Sequence, residues 1–143
     1  MKRDFMDLAM LERFVGRQKV ALVGSVDGDG FPAVKAMLMV KKREGIRVFY
    51  FSTNTSSMRV GQFRENGKAC LYFYRKAWFR YQGLMLRGQM DVLEDADIKL
   101  ALWQRGDEMF YPAGPSDPDY CVLRFTAVEA RYYCNLHTES VRL

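Results

Sequence analysis

The stretch from 84 to 92 constrains the fold more tightly than any other part of the chain. Leu84, Leu86, Gly88, Met90 and Val92 fall on one face and Met85, Arg87, Gln89 and Asp91 on the other, the period of a long strand half buried against a core. Strand-sized segments surround it. Residues 19–26 are apolar and β-branched, Asp27-Gly28-Asp29-Gly30 has hairpin-turn chemistry, and an apolar run resumes over 34–40. A charged turn over 41–45 leads into 46–51, where Val48, Phe49, Tyr50 and Phe51 leave no solvent face and place that strand inside a sheet. Residues 70–74 and 122–133 supply two more strands. Helical spacing occurs in three places: over 4–18 through Phe5, Leu8, Leu11, Phe14 and Val15, over 58–63 ahead of Asn66-Gly67, and after Asp95 through Ile98, Ala101 and Leu102, with Asp95 as cap and Gly106 as terminator. Six strands with interspersed helices and no regular strand-helix alternation predict an α+β, mainly β fold, a six-stranded antiparallel barrel.

At 143 residues the chain has the length of a single domain. The Pro- and Asp-bearing loop over 112–118 precedes only one strand's worth of sequence, so it reads as a surface or interface loop rather than a boundary. Early charges, Lys2, Arg3, Asp4, Asp7 and Glu12, interrupt any leader, and no run approaches the roughly 20 apolar residues of a membrane span. Cys70, Cys121 and Cys134 are odd in number and lack C-x-x-C spacing, which fits reduced thiols and a cytoplasmic setting. With His137 as the lone histidine, placed in the C-terminal tail, His-rich metal sites are excluded and hydrolytic triads disfavoured.

Two motifs invite attention. Gly28, Gly30 and Ala33 match the letters of a dinucleotide fingerprint, but a strand follows them where that motif needs a helix N-terminus. The segment Phe51-Ser52-Thr53-Asn54-Thr55-Ser56-Ser57-Met58-Arg59 is different: it places hydroxyls and free backbone N–H groups at the start of a helix, with a guanidinium one turn in. Such a turn either caps a helix or holds an anion, and the net charge of +5 suits an anionic ligand.

In this respect the chain resembles the pyridoxamine-phosphate-oxidase-like proteins that carry the FMN-binding split barrel. Lys35-Ala36-Met37-Leu38-Met39-Val40, then Phe51-Ser52-Thr53-Asn54, then Ser57 and Arg59 reproduce the order and spacing of that family's cation-led strand, F-[YS]-T-N strand end and helix opening. Residues 107–125, with Tyr111-Pro112 and Asp117-Pro118-Asp119-Tyr120, resemble its small general-stress-protein branch. The resemblance, which runs from about Val20 to Tyr133, implies an FMN whose ring lies along the second strand against backbone groups of Lys35, Ala36, Met37 and Leu38. Ser52 and Thr53 would line the ribityl chain, Asn54 would also contact the cofactor, and Lys35, Ser57 and Arg59 would hold the phosphate. The family's fifth-strand glutamine falls at Gln82 or Gly83. A homodimer with flavin at the interface is implied as well, Trp103, Tyr111 and Pro112 being candidates for contacts from the partner, although Trp103 also reads as core packing under the third helix.

The implied activity is that of a flavin-dependent oxidoreductase taking electrons from a nicotinamide donor for an unidentified small substrate, and the alternative is a flavin-binding or flavin-sensing protein without turnover. No side chain stands out as a catalytic acid, base or nucleophile. Met58 stands where active pyridoxamine-phosphate oxidases carry a second basic residue, and their longer C-terminal substrate region has no counterpart up to Leu143, so oxidation of pyridoxine phosphate is not expected. A rival reading from another class is a single-strand nucleic-acid platform built on Tyr72, Tyr74, Arg75, Lys76, Trp78, Arg80 and Tyr81. The modest charge disfavours it against a hairpin whose aromatics cover the core.

Overall fold

In the computed structural model, which describes residues 6–38 and 40–143, α1 (Leu8–Gly16) precedes an antiparallel sheet of eight strands. Asp7 caps α1 by accepting the Ala9 N–H at 3.0 Å, and Leu11, Phe14 and Val15 are buried. The start of the expected helix, at Asp4 and Phe5, lies outside the described residues, as does Met39 of the second strand. β1 (Val20–Val26) and β2 (Pro32–Leu38) form the anticipated hairpin. Asp27 Oδ1 closes its turn by accepting the N–H groups of Asp29 at 3.0 Å and Phe31 at 2.9 Å, while Gly30 takes a φ of +83°, where a side chain would be strained.

β3 (Lys42–Glu44), β4 (Val48–Asn54), α2 (Met58–Glu65), β5 (Lys68–Ala77), β6 (Arg80–Leu93), α3 (Ala96–Leu102), β7 (Tyr120–Cys134) and β8 (His137–Arg142) follow. The sheet order is β2-β1-β5-β6-β7-β4-β3, with β8 also on β7. β2 and β3 stay at open edges, which makes this a split barrel of the expected class. The two strands beyond the expected six are β3, read from its charges as a turn, and β8, read as a tail. Both are exposed or half-buried along their length, so they bury no stripe that would write an alternating pattern into the sequence. α3 is also capped differently from expectation. Asp95 occupies its N-cap position without a side-chain hydrogen bond, and Gly106, at φ +103°, opens a short 3-10 turn over Asp107–Met109 instead of ending the helix.

One rung of the sheet shows how the core meets the site. Lys35, Val23, Leu71, Leu86 and Ala130 are successive cross-strand partners and so share a face. The last four are at most 1% exposed. Lys35 therefore ends a core rung at the open β2 edge, with its side chain on the inward side. At the opposite extreme, the β5–β6 hairpin runs past the core: Tyr74, Trp78, Phe79 and Tyr81 are all exposed, Trp78 at 94%. These aromatics do not cover the core, because the hairpin tip runs past the residues that β1 and β7 pair with.

The paired strands also pass a bulge, where the β6–β7 register shifts between Arg87 and Gly88. A Cβ at Gly88 would collide with the backbone of Thr126 and Ala127, whereas one at Gly61 in α2 meets open space. Gly88→Ala is thus expected to cost about 1–3 kcal/mol and Gly61→Ala to stabilise by about 0.5–1 kcal/mol, both read as shifts of the urea unfolding midpoint at unchanged slope.

Candidate functional site

β4 ends at Asn54 and α2 starts at Met58, with the Ser57 hydroxyl accepting the Val60 N–H at 3.4 Å as its N-cap. Asp119, from the loop before β7, fixes the turn between them. Its Oδ2 accepts Asn54 Nδ2 at 2.8 Å, its Oδ1 accepts the Ser56 N–H at 2.9 Å, and its carbonyl accepts the Thr55 N–H at 2.8 Å. Asn54, contributing most, and Ser56 hold the Asp119 carboxyl below the usual carboxylate range.

Two neighbouring clefts meet at this turn. The first, of about 410 Å³, lies between the end of β2 and the end of β4. Ala36, Met37 and Leu38 form one wall, Ser52, Thr53 and Asn54 another, and Tyr111 and Arg59 complete it. The second, of about 330 Å³, lies between Lys35 on β2 and Ser57 and Met58 at the start of α2, and Arg59 lines it too. The structure thereby brings together ten of the residues singled out in the sequence. Lys41, Asp107 and Phe110, which sequence reasoning missed, also line the first cleft. Tyr111, a candidate for reaching into a partner, lines this chain's own cleft.

The charges are unevenly disposed. Arg59 Nη2 donates to Thr53 Oγ1 at 3.4 Å, while Arg59 Nε is buried without a partner. Among the described residues neither Arg59 nor Lys35 forms an ion pair. Burial alone lowers the guanidinium's pKa from its ordinary value, as expected of a cation taken from water without a counter-charge. At the far end Lys41 Nζ donates to Asp107 Oδ1 at 2.6 Å and to Gln104 Oε1 at 3.2 Å. The Tyr111 hydroxyl is pushed up to about 12, chiefly by burial and then by neighbouring Cys121 and Asp107, so it stays protonated at neutral pH. No cluster of His, Cys, Asp or Glu able to hold a metal ion occurs among the described residues.

The pyridoxamine 5'-phosphate oxidase family model matches residues 9–134, most of the chain. The chain belongs to this family. No curated protein matches it. Among solved structures, a Clostridium acetobutylicum protein of the pyridoxinephosphate oxidase family, related to general stress protein 26 of Bacillus subtilis, is 37% identical with a TM-score of 0.84, over 96% of this chain and 97% of its own. General stress protein 26 of Bacillus anthracis is 19% identical with a TM-score of 0.75, over 95% and 98%. A pyridoxamine 5'-phosphate oxidase-related, FMN binding protein of Nostoc punctiforme is 15% identical with a TM-score of 0.68, over 95% and 92%. The last two likenesses speak for the fold alone.

For this family member, Gln82, Trp103 and Pro112 fall outside the clefts. Gln82 is buried and donates Nε2 to the Tyr132 hydroxyl at 2.7 Å. Trp103 stands one layer behind Tyr111, with ring centroids 6.2 Å apart, and packs edge-on against Tyr120 at 5.4 Å. It packs against the second hydrophobic cluster, as its alternative reading had it. Among the described residues no helix is long and apolar enough to cross a membrane.

The Asp119 brace gives the site a pH signature. A carboxyl held low in the folded state contributes stability that is present above its unfolded pKa and lost as pH falls through the folded value. Asp119→Ala is accordingly expected to melt below the parent chain at neutral pH, and the gap to close as acid protonates Asp119, as followed by thermal melts over a pH series.

Proposed function

We propose that this chain binds FMN across the two clefts and works as a flavin-dependent oxidoreductase, passing electrons from a nicotinamide donor to a small substrate. The observation that carries this reading is the pair of cations, Lys35 on β2 and Arg59 in the first turn of α2, that line one cleft. Lys35 and Arg59 share a cleft with a helix N-terminus and the Ser57 hydroxyl, no carboxylate pairs with either among the described residues, and one guanidinium N–H is buried with no acceptor. A dianionic phosphate answers that arrangement, since the part-buried Arg59 is screened less than a charge in open water and helix N–H groups favour anions.

The remaining features fit the rest of such a ligand. Ser52 and Thr53 offer polar atoms to a ribityl chain. β2 is an edge strand, so one row of its N–H and C=O groups is open to hydrogen-bond the polar edge of a ring. Met37 is buried while Leu38 is 77% exposed, which gives the ring an apolar side. Bound flavin supplies the electron-transfer chemistry; the chain binds it, orients it and limits its contact with water. A homodimer covering β2 is part of this reading, supported by Val34 at 71% and Leu38 at 77% exposure on one face of the edge strand. A cytoplasmic setting is supported by three free cysteines.

The purified protein is expected to be yellow, or to become so with FMN. Arg59→Ala should weaken FMN binding roughly tenfold or more at an unchanged circular dichroism spectrum, and full flavin retention by that variant after dialysis overturns the phosphate assignment. Anaerobic mixing with NADH or NADPH should bleach the flavin. A flavin that binds but stays oxidised under both donors would instead mark a carrier or sensor.

A further inference from the structure

The far end of the first cleft has its own electrostatic design. Lys41 is tied at both ends: its backbone N–H donates to the Tyr50 carbonyl at 2.8 Å, and its ammonium donates to Asp107 Oδ1 and Gln104 Oε1. Asp107 is held in turn, since its Oδ2 accepts the Gln104 N–H at 2.8 Å and its carbonyl accepts the N–H of Tyr111 at 3.0 Å. The two side chains are only 16% and 10% exposed. An ammonium has three donors. Two are used here, and the third has no acceptor among the described residues although Lys41 lines the cleft.

Resting on the flavin reading above, we infer that Lys41 is a ligand-positioning residue whose third N–H hydrogen-bonds a carbonyl on the ring end of the bound flavin. The orientation follows from the charges. A phosphate is repelled from this end by the Asp107 carboxylate, 2.6 Å from Lys41 Nζ, and is drawn to the end where Lys35 and Arg59 lack counter-charges. A neutral, carbonyl-bearing ring edge suits a paired ammonium, because it accepts a hydrogen bond without bringing net charge. Lys41 and Asp107, 66 residues apart, thus act together: Asp107 and Gln104 aim the ammonium, and the ammonium anchors the segment that carries Phe110 and Tyr111 into the cleft.

Quenching of flavin fluorescence, titrated with FMN and with riboflavin, which lacks the phosphate, separates the two ends. Lys41→Met is expected to weaken both ligands by the same factor, roughly tenfold or more, whereas Arg59→Ala should weaken FMN and leave riboflavin unchanged. The double variant Lys41→Met/Asp107→Asn strands no carboxylate and should show the same equal loss, while Lys41→Arg, which keeps charge and donors, should restore most of it. A loss confined to FMN, or no loss in the double variant, overturns the inference. An unaltered chain that binds neither flavin overturns the functional reading itself, which is a different result.

Discussion

The pairing of β4 with the first half of β7 is the constraint on which the site depends. It runs from Val48 opposite Thr126 to Asn54 opposite Tyr120, and its end delivers Asp119 to the turn over 54–56. The three hydrogen bonds that Asp119 accepts there set where α2 begins. The start of α2 sets where Arg59 stands, one turn in from Ser57. β7 can do this because it is long enough to divide one edge between β4 and β8 while its other edge pairs with β6. A chain whose last core strand were half as long would have to give up one of those partners.

From that scaffold comes a cleft with an electrostatic gradient. At one end are two cations without counter-charges, on strand and helix. At the other is a cation paired with a carboxylate and an amide, with one donor left over, and between them lie Met37, the Ser52–Thr53 hydroxyls and an open strand edge. In water such differences would be screened within about 10 Å at ordinary salt, but Arg59 and Lys41 are part-buried and are screened less. In the proposed reading, this gradient is what would orient a ligand with one anionic end and one neutral polar end. The family fold supplies the platform on which those few charges stand.

How far the sequence revealed this can be judged element by element. The β1–β2 hairpin was legible because Asp27, Gly28 and Gly30 carry turn chemistry in adjacent residues. The Ser57 cap and Arg59 were legible for the same reason, since capping and a one-turn offset are local. β4 was placed inside the sheet from its unbroken apolar run, and it does lie between β7 and β3. β3 and β8 were missed because an exposed edge strand needs only a backbone partner, and backbone pairing leaves no mark on side-chain type. Gln82 shows the converse. Counting along the chain could put the family's glutamine position at Gln82 or Gly83, but could not show that the Gln82 amide meets the Tyr132 hydroxyl, a partner 50 residues away.

Local chemistry written in the sequence thus determined the fold class, the capped turn at the start of α2 and most of the residues lining the clefts, because periodicity, capping and turn preference act over a few residues. Tertiary structure alone decided that Asp119 braces the turn, that Lys35 faces inward at the end of a core rung, and that Lys41 meets Asp107. Each of these depends on strand register and on contacts across tens of residues, and no spacing within the sequence encodes which distant side chain will stand opposite.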